Sequence, residues 1–331
     1  MNTTDDASGS PSPVPLGIWP TPVEPLPRLA AALGLGGHDL LIKRDDLTGL
    51  GGGGNKVRKL EWTVGAALAD GADTLVTTGA PQSNHARLTA AAAARLGLRS
   101  VLVFPGTGSG SQSGNLVLDG LLGARVVWSG ASGRAALDAA ATAVCARLEE
   151  EGARPALIPF GGSSAVGALG YVRCGEELMD QVPDLDTAVV ALGSGATMAG
   201  LVASLGPDRV IGVDTGALGD PTPVVAAFVA DLLPEPVRPE RLRIRGDQIG
   251  SGYGTLTEGV KSALTVTART EGIILDPVYT GRAIAGLMAA VRDGDIRPGR
   301  TTVFVHTGGL PGLFGHPDAV AYGENSVISG L

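Results

Sequence analysis

Lysine is nearly missing from this chain of 331 residues: of 25 basic residues, only Lys43, Lys56, Lys59 and Lys261 are lysines. Arginine serves as well for solubility or a surface ion pair, so the four that remain need reasons of their own. Cysteine is as scarce. Cys145 and Cys174 lie far apart, with no CxxC pair and no metal-ligand spacing, which excludes a disulfide framework and a structural zinc site. Reduced, buried thiols of a cytoplasmic protein are the expectation. Aromatic residues amount to 4%, so the core has to be packed from small and aliphatic side chains. No apolar run reaches membrane length. Residues 1–15 are polar, hold Asp5 and Asp6 and contain no apolar stretch of signal-peptide type, so a frayed tail is expected there. A net charge of −8 without a basic cluster argues against nucleic acid as a partner.

What is present is length, apolar residues and glycine. A chain of this size exceeds one ordinary domain and predicts two. Apolar residues at 44% can fill a large core, and 51 glycines imply many tight turns. Apolar runs of strand length fall at residues 39–43, 74–78, 100–104, 125–128, 156–159, 187–192, 210–213, 241–245, 273–275 and 302–306. Stretches with helical character fall at 56–69, 83–96, 115–122, 134–151, 168–181, 197–205, 223–232, 258–270, 281–293 and shortly after Pro311. Continuous apolar strands joined by helices predict an α/β fold whose parallel sheets are covered on both faces. Ligands of open α/β sheets sit beyond the carboxyl ends of the strands. Three joints there are rich in small polar residues: Thr78-Gly79-Ala80-Pro81-Gln82-Ser83-Asn84, Gly193-Ser194-Gly195-Ala196-Thr197 and His306-Thr307-Gly308-Gly309.

Two of the four lysines stand behind a glycine run, Gly49-Leu50-Gly51-Gly52-Gly53-Gly54-Asn55-Lys56-Val57-Arg58-Lys59-Leu60-Glu61. At i and i+3 near a helix start, Lys56 and Lys59 share one face. The helix dipole disfavours cations at that end, and two ammonium groups side by side repel, which lowers the pKa of one of them. Such a cost makes sense if one amine must be neutral to form a Schiff base while the other meets a phosphate. The alternative is a solvated basic helix start to which Arg58 merely adds charge.

The other motifs carry paired readings as well. Residues 193–197 follow a strand and open a helix, where small residues let backbone N–H groups approach an anion such as phosphate. The segment is no P-loop and lacks the full dinucleotide fingerprint; a tight turn that only packs is its second reading. Ser83 is either an N-cap or a hydroxyl aimed at a substrate whose carboxylate meets the helix terminus. Asn84 and His85 follow it. His85 has no partner at metal spacing, nor do His38, His306 or His316, so no metal is expected. Tyr253 and Tyr279 lie in loop-type sequence. Each could stack on a cofactor or move a proton, or simply brace a loop.

Several of these stretches occur together and in order: Ile42-Lys43-Arg44-Asp45-Asp46-Leu47-Thr48, then residues 54–61, Gln82-Ser83-Asn84-His85, Gly114-Asn115, Asp276-Pro277-Val278-Tyr279-Thr280-Gly281 and His306-Thr307-Gly308-Gly309. In that combination the chain resembles the pyridoxal-phosphate enzymes of fold type II, the tryptophan-synthase-β-like group. Within the group it is most similar to the branch of 1-aminocyclopropane-1-carboxylate deaminase and D-cysteine desulfhydrase. The likeness runs from about Pro20 to Leu313. It implies two open twisted parallel sheets with flanking helices, a small domain of residues 59–163 closing over a large one of 1–58 and 164–331, and a homodimer. It implies a Schiff base on Lys56. Lys59, Asn84 and the backbone of Gly193, Ser194, Gly195, Ala196 and Thr197 would hold the cofactor phosphate and ring. Tyr279 would stack on the ring, with Thr280 and Thr307 beside it. Ser83, Asn84 and His85 would receive the substrate, and Tyr253 would be a second tyrosine facing it.

The resemblance also bears on the reaction. The deaminase pattern has a glutamate directly after the Tyr279 equivalent and a leucine at the Thr307 equivalent, whereas Thr280 and Thr307 match the desulfhydrase pattern. A hydroxyl near the pyridine nitrogen makes a weaker electron sink than a carboxylate, sufficient where a good leaving group departs. The expectation is α,β-elimination on D-cysteine or a related S-substituted cysteine, giving pyruvate, ammonia and a thiol or sulfide. Gly254-Thr255-Leu256-Thr257-Glu258, Leu310-Pro311-Gly312-Leu313-Phe314-Gly315-His316 and Ala196 depart from the usual pattern and leave room for a larger substrate. The competing readings are β-replacement, deamination of aminocyclopropane carboxylate, and non-catalytic binding of a small phosphorylated ligand.

Overall fold

The computed structural model describes residues 12–108, 113–130 and 132–327. The chain runs through a short strand β1 (Val23–Pro25), helix α1 (Pro27–Ala32) and β2 (Leu40–Lys43) before the glycine loop and α2 (Lys56–Ala69). Strands and helices then alternate: β3 (Thr74–Thr78), α3 (Asn84–Leu96), β4 (Arg99–Phe104), α4 (Asn115–Leu121), β5 (Arg125–Trp128), α5 (Arg134–Glu150), β6 (Pro155–Ile158) and α6 (Ala165–Gln181). The remainder is β7 (Leu185–Leu192), α7 (Ala196–Leu205), β8 (Val210–Asp214), α8 (Thr222–Leu232), β9 (Arg243–Arg245), α9 (Glu258–Glu271), α10 (Thr280–Asp293), β10 (Thr301–Val305), α11 (Leu310–Phe314) and α12 (Pro317–Asn325).

Two sheets result, of order β1-β2-β10-β7-β8-β9 and β5-β4-β3-β6. Their pairs are parallel except for β1 on β2. The fold is α/β, with helices on both faces of the larger sheet. Strand alternation shows how one segment feeds two cores. On β10, Phe304 packs with Ile284 and Leu287 of α10, while Val303 and Val305 face Leu178 of α6 and Val202 of α7. No described helix is long and apolar enough to cross a membrane.

Three expectations need correction. Residues 273–275 form no strand: Ile273 and Leu275 are buried and Ile274 exposed, but Ile274 O meets the His306 side chain at 3.1 Å rather than a ladder partner. Conversely, β1, α1 and α12 were not anticipated. β1 is three residues long and ends on a proline, which an edge strand tolerates. Of the expected tail, residues 1–11 lie outside the described residues, but the chain is already engaged at Val14, whose N–H donates to Glu61 O at 2.9 Å.

Behind the start of α2 lies a buried charge cluster. Asp45 is fully buried and accepts from Arg58 Nε at 2.8 Å, Arg58 Nη2 at 2.9 Å, Thr21 Oγ1 at 2.7 Å and the Tyr171 hydroxyl at 2.6 Å. Arg58 also donates to both Glu177 oxygens at 2.8 Å, and Lys43 Nζ reaches Glu177 at 2.7 Å. Burial pushes the Asp45 carboxyl up, but the Arg58 charge and the hydrogen bonds together pull it below the ordinary range. A folded value below the unfolded one stabilises the fold above the usual carboxylate pKa, and the contribution is lost as pH falls through the folded value. Asp45→Ala leaves the Arg58 guanidinium buried with one of its two carboxylate partners. It is expected to cost about 3–5 kcal/mol in urea unfolding and to flatten the acid limb of the stability profile. An unchanged unfolding midpoint contradicts the assignment.

Candidate active site

A cavity of about 230 Å³ opens where the loops at the carboxyl ends of both sheets meet. Lys56, first residue of α2, lines it. Its Nζ donates to Gly161 O at 3.2 Å. Lys59 lies one turn on, fully buried, and donates to the same carbonyl at 3.3 Å and to Ser163 Oγ at 3.1 Å. Burial draws the Lys56 amine down to about 8. Lys59 is held well below the ordinary lysine range by burial first and then by the charge of Lys56.

The glycines around these amines have steric reasons. Gly53 has φ +72°, and a side chain there would run into Asp46 O. Gly161 has φ +65°, and a side chain there would strike Ser194 Oγ. Glycine alone meets both demands.

Two helix starts line the cavity. Ser83 caps α3, its Oγ accepting from Ala86 N–H at 3.1 Å, so the first N–H groups of α3 point toward the cavity edge beside Asn84 and His85. Asn84 is set by Asn115, whose Nδ2 donates to Asn84 Oδ1 at 3.0 Å. His85 is buried. Its Nε2 pairs with Thr77 Oγ1 at 2.9 Å and its Nδ1 has no partner; burial first, then Lys56 and Lys59, keeps it neutral. At α7 the cap is Gly195, with φ +98° and no side-chain cap, so the opening N–H groups of α7 remain available to an anion. Asn55 Nδ2 donates to Thr197 Oγ1 at 3.2 Å beside this cradle. Tyr279 stands against Gly193, where an added Cβ would lie 3.2 Å from its ring. The hydroxyls of Tyr279 and Tyr253 meet at 2.7 Å. Burial, then Tyr253, holds the Tyr279 phenol well above the ordinary range, so it stays protonated.

Comparison with known proteins gives the arrangement its context. The family model for "pyridoxal-phosphate dependent enzyme" matches residues 14–308. A Klebsiella pneumoniae (strain 342) protein named D-cysteine desulfhydrase is 43% identical over 317 residues, covering 90% of this chain and 94% of the relative. A Pyrococcus abyssi protein, provisionally named 1-aminocyclopropane-1-carboxylate deaminase, is 42% identical over 308 residues, covering 89% and 91%. The crystal structure of an ACC deaminase homologue superposes with a TM-score of 0.86 at 38% identity, over 94% of this chain and 96% of that one. The chain belongs to the pyridoxal-phosphate dependent enzyme family.

The residues on the wall fit that cofactor. An amine of lowered pKa suits an aldehyde, an uncapped helix start suits a phosphate, and a tyrosine ring across Gly193 suits a flat heteroaromatic ring. Of the residues expected at the site, Lys56, Ser83, Asn84, His85, Gly193, Ser194, Gly195, Thr197, Tyr253, Tyr279 and Thr307 line the cavity together. Lys59, Ala196 and Thr280 lie behind its wall. Thr280 in particular spends its hydroxyl on Asp276, donating to Oδ1 at 2.7 Å. Asn55, Phe160 and Gly161 were missed. Pro159-Phe160-Gly161-Gly162-Ser163-Ser164 is a fourth strand-to-helix joint of the small-residue kind, and that was its available signal.

Because the Lys56 amine is drawn down, its neutral form appears as pH rises through about 8 rather than above 10. An amine-selective reagent applied to cofactor-free protein between about pH 7 and 9 is therefore expected to mark Lys56 ahead of the half-buried Lys261, whose value Glu258 raises. Peptide mapping that finds Lys261 marked first contradicts this.

Proposed function

We propose that the chain is a carbon–sulfur lyase acting on D-cysteine or a related S-substituted cysteine, releasing pyruvate, ammonia and sulfide or a thiol. One observation carries the reading: a lysine amine of lowered pKa, Lys56, shares a cavity with two helix starts and a hydrogen-bonded pair of phenols. When bound, pyridoxal phosphate supplies the electron sink that makes the substrate's α-proton removable. Lys56 holds the cofactor at rest and takes up that proton. The α7 start, with Asn55 and Thr197, receives the phosphate. Ser83 and the α3 start receive the substrate carboxylate, with Asn84 and His85 alongside. Tyr279 braces the ring, and the Tyr253–Tyr279 pair faces the substrate's β-substituent. Lys59, placed behind the wall with Ser163, shares the Gly161 carbonyl with Lys56.

The name of the Klebsiella relative and the presence of Thr307 on the wall support elimination. The Pyrococcus relative's name favours a second reading, deamination of aminocyclopropane carboxylate. β-Replacement would need a second nucleophile in the same cavity. The proposal includes a small domain of residues 59–163 closing on the remainder, and a cytoplasmic homodimer whose partner is a free amino acid rather than nucleic acid or a membrane.

The test is a panel of D- and L-cysteine, β-chloroalanine, cysteine thioethers and aminocyclopropane carboxylate, scored for pyruvate and for 2-oxobutyrate. Pyruvate from the cysteine series is expected, with Lys56→Ala lowering turnover by at least about 100-fold, the lower end of what a placed proton-transfer group supplies. Release of 2-oxobutyrate alone, or turnover indifferent to Lys56, overturns the assignment.

A further inference from the structure

Tyr279 and Tyr253 are fixed by very different means. Tyr279 closes the turn into α10, its N–H donating to Asp276 Oδ2 at 2.9 Å. Tyr253 lies in the irregular segment between β9 and α9 and is still 47% exposed. Inside that segment the described contacts are short-range ones, Thr255 N–H to Gly252 O at 3.2 Å and the Ser251–Thr255 hydroxyl pair at 3.0 Å. Its Leu256 packs against the core of the larger sheet, and two side chains from elsewhere bond to its backbone carbonyls. Arg282 of α10 is fully buried and donates to Thr255 O at 2.7 Å and to Thr215 O at 2.5 Å, joining the loop to the neighbouring joint after β8. His316 Nε2 lies 2.7 Å from Gly254 O.

The histidine's tautomer follows from its second contact. His316 caps α12, with Nδ1 accepting the Ala319 N–H at 3.3 Å. A lone pair on Nδ1 places the ring proton on Nε2, which then donates to Gly254 O. The two stretches that depart from the family pattern, 254–258 and 310–316, therefore meet at this one bond.

We propose that His316, together with Arg282, is a positioning residue that clamps the Tyr253 loop and so sets the Tyr253 hydroxyl against Tyr279. Neither clamp residue lines the cavity. The inference rests on Tyr253 facing the substrate, as in the reading above.

Two substitutions separate the clamp from the cap. His316→Asn keeps an excellent N-cap but is too short to reach Gly254 O, while His316→Gln is a poor cap whose amide can reach it. In the cofactor-loaded His316→Asn protein, amide exchange over residues 249–257 is expected to quicken about tenfold, the scale of one lost hydrogen bond. Residues 317–325 are expected to keep their protection. Its kcat is expected to fall about 10–100-fold with a smaller change in KM, as small misplacements of a reacting group do. The absorption of the bound cofactor stays as it was. His316→Gln is expected to restore loop protection and most of kcat while loosening 317–325. Wild-type exchange over 249–257 in His316→Asn, or a His316→Gln protein as impaired in that loop as His316→Asn, overturns the proposal. If no substrate on the panel is turned over, the lyase reading fails while the exchange measurement still decides the clamp.

Discussion

Two amines side by side at the start of one helix, Lys59 buried and Lys56 on the cavity wall, set the terms for the rest of this structure. Lys56 and Lys59 point at the same carbonyl, that of Gly161, from the end of α2 where the dipole already disfavours cations. With Lys56 drawn from 10.5 to about 8, the fold biases that amine toward neutrality by about 3 kcal/mol. Such a bias is a cost when the amine is charged, and it is recovered only by a ligand that needs a neutral amine. The glycine loop before α2 and the Gly161-Gly162 turn opposite it exist to make this placement sterically possible. His85, neutral and buried beside the pair, adds no third charge.

The protein handles its permanent charges differently. Arg58, two residues after Lys56, turns away from the cavity into the Asp45 and Glu177 cluster, where every strong donor finds a carboxylate or hydroxyl. The result is a helix whose successive basic residues serve opposite ends: one face sets Lys56 on the cavity wall with Lys59 behind it, the other locks α2 to α6 and to the segment around Thr21. Arg87 plays a comparable part on α3. It is fully buried and reaches Gly51 O and Gly53 O of the glycine loop while its Nε donates to Asn115 Oδ1 at 3.0 Å. The loop that presents Lys56 and the helix start that carries Ser83 are thereby held to each other.

Local patterns were readable wherever local physics decided the outcome. The period of apolar residues placed α2 at 56–69, β3 at 74–78 and β5 at 125–128 to the residue. The glycine-lysine segment and the small-residue joints all reached the cavity. What depended on acceptors supplied through space was not readable. Residues 273–275 have strand-like alternation, but no neighbouring strand offers a ladder, so they stay irregular. Thr280 looked available to a ligand until Asp276, four residues back, took its hydroxyl. Lysine scarcity pointed at Lys56, which lines the cavity, yet Lys43 is equally rare and is a buried structural cation paired with Glu177 and Gln181. Rarity alone could not separate the two.

The central claim is that the Lys56 amine, and no other, carries the cofactor. Reduction of the loaded protein with borohydride, followed by peptide mass analysis, measures it directly. The account predicts a pyridoxyl group on the peptide that holds Lys56, with Lys43, Lys59 and Lys261 unmodified. A pyridoxyl group on Lys59, or none on any lysine of a protein that has taken up the cofactor, would contradict it.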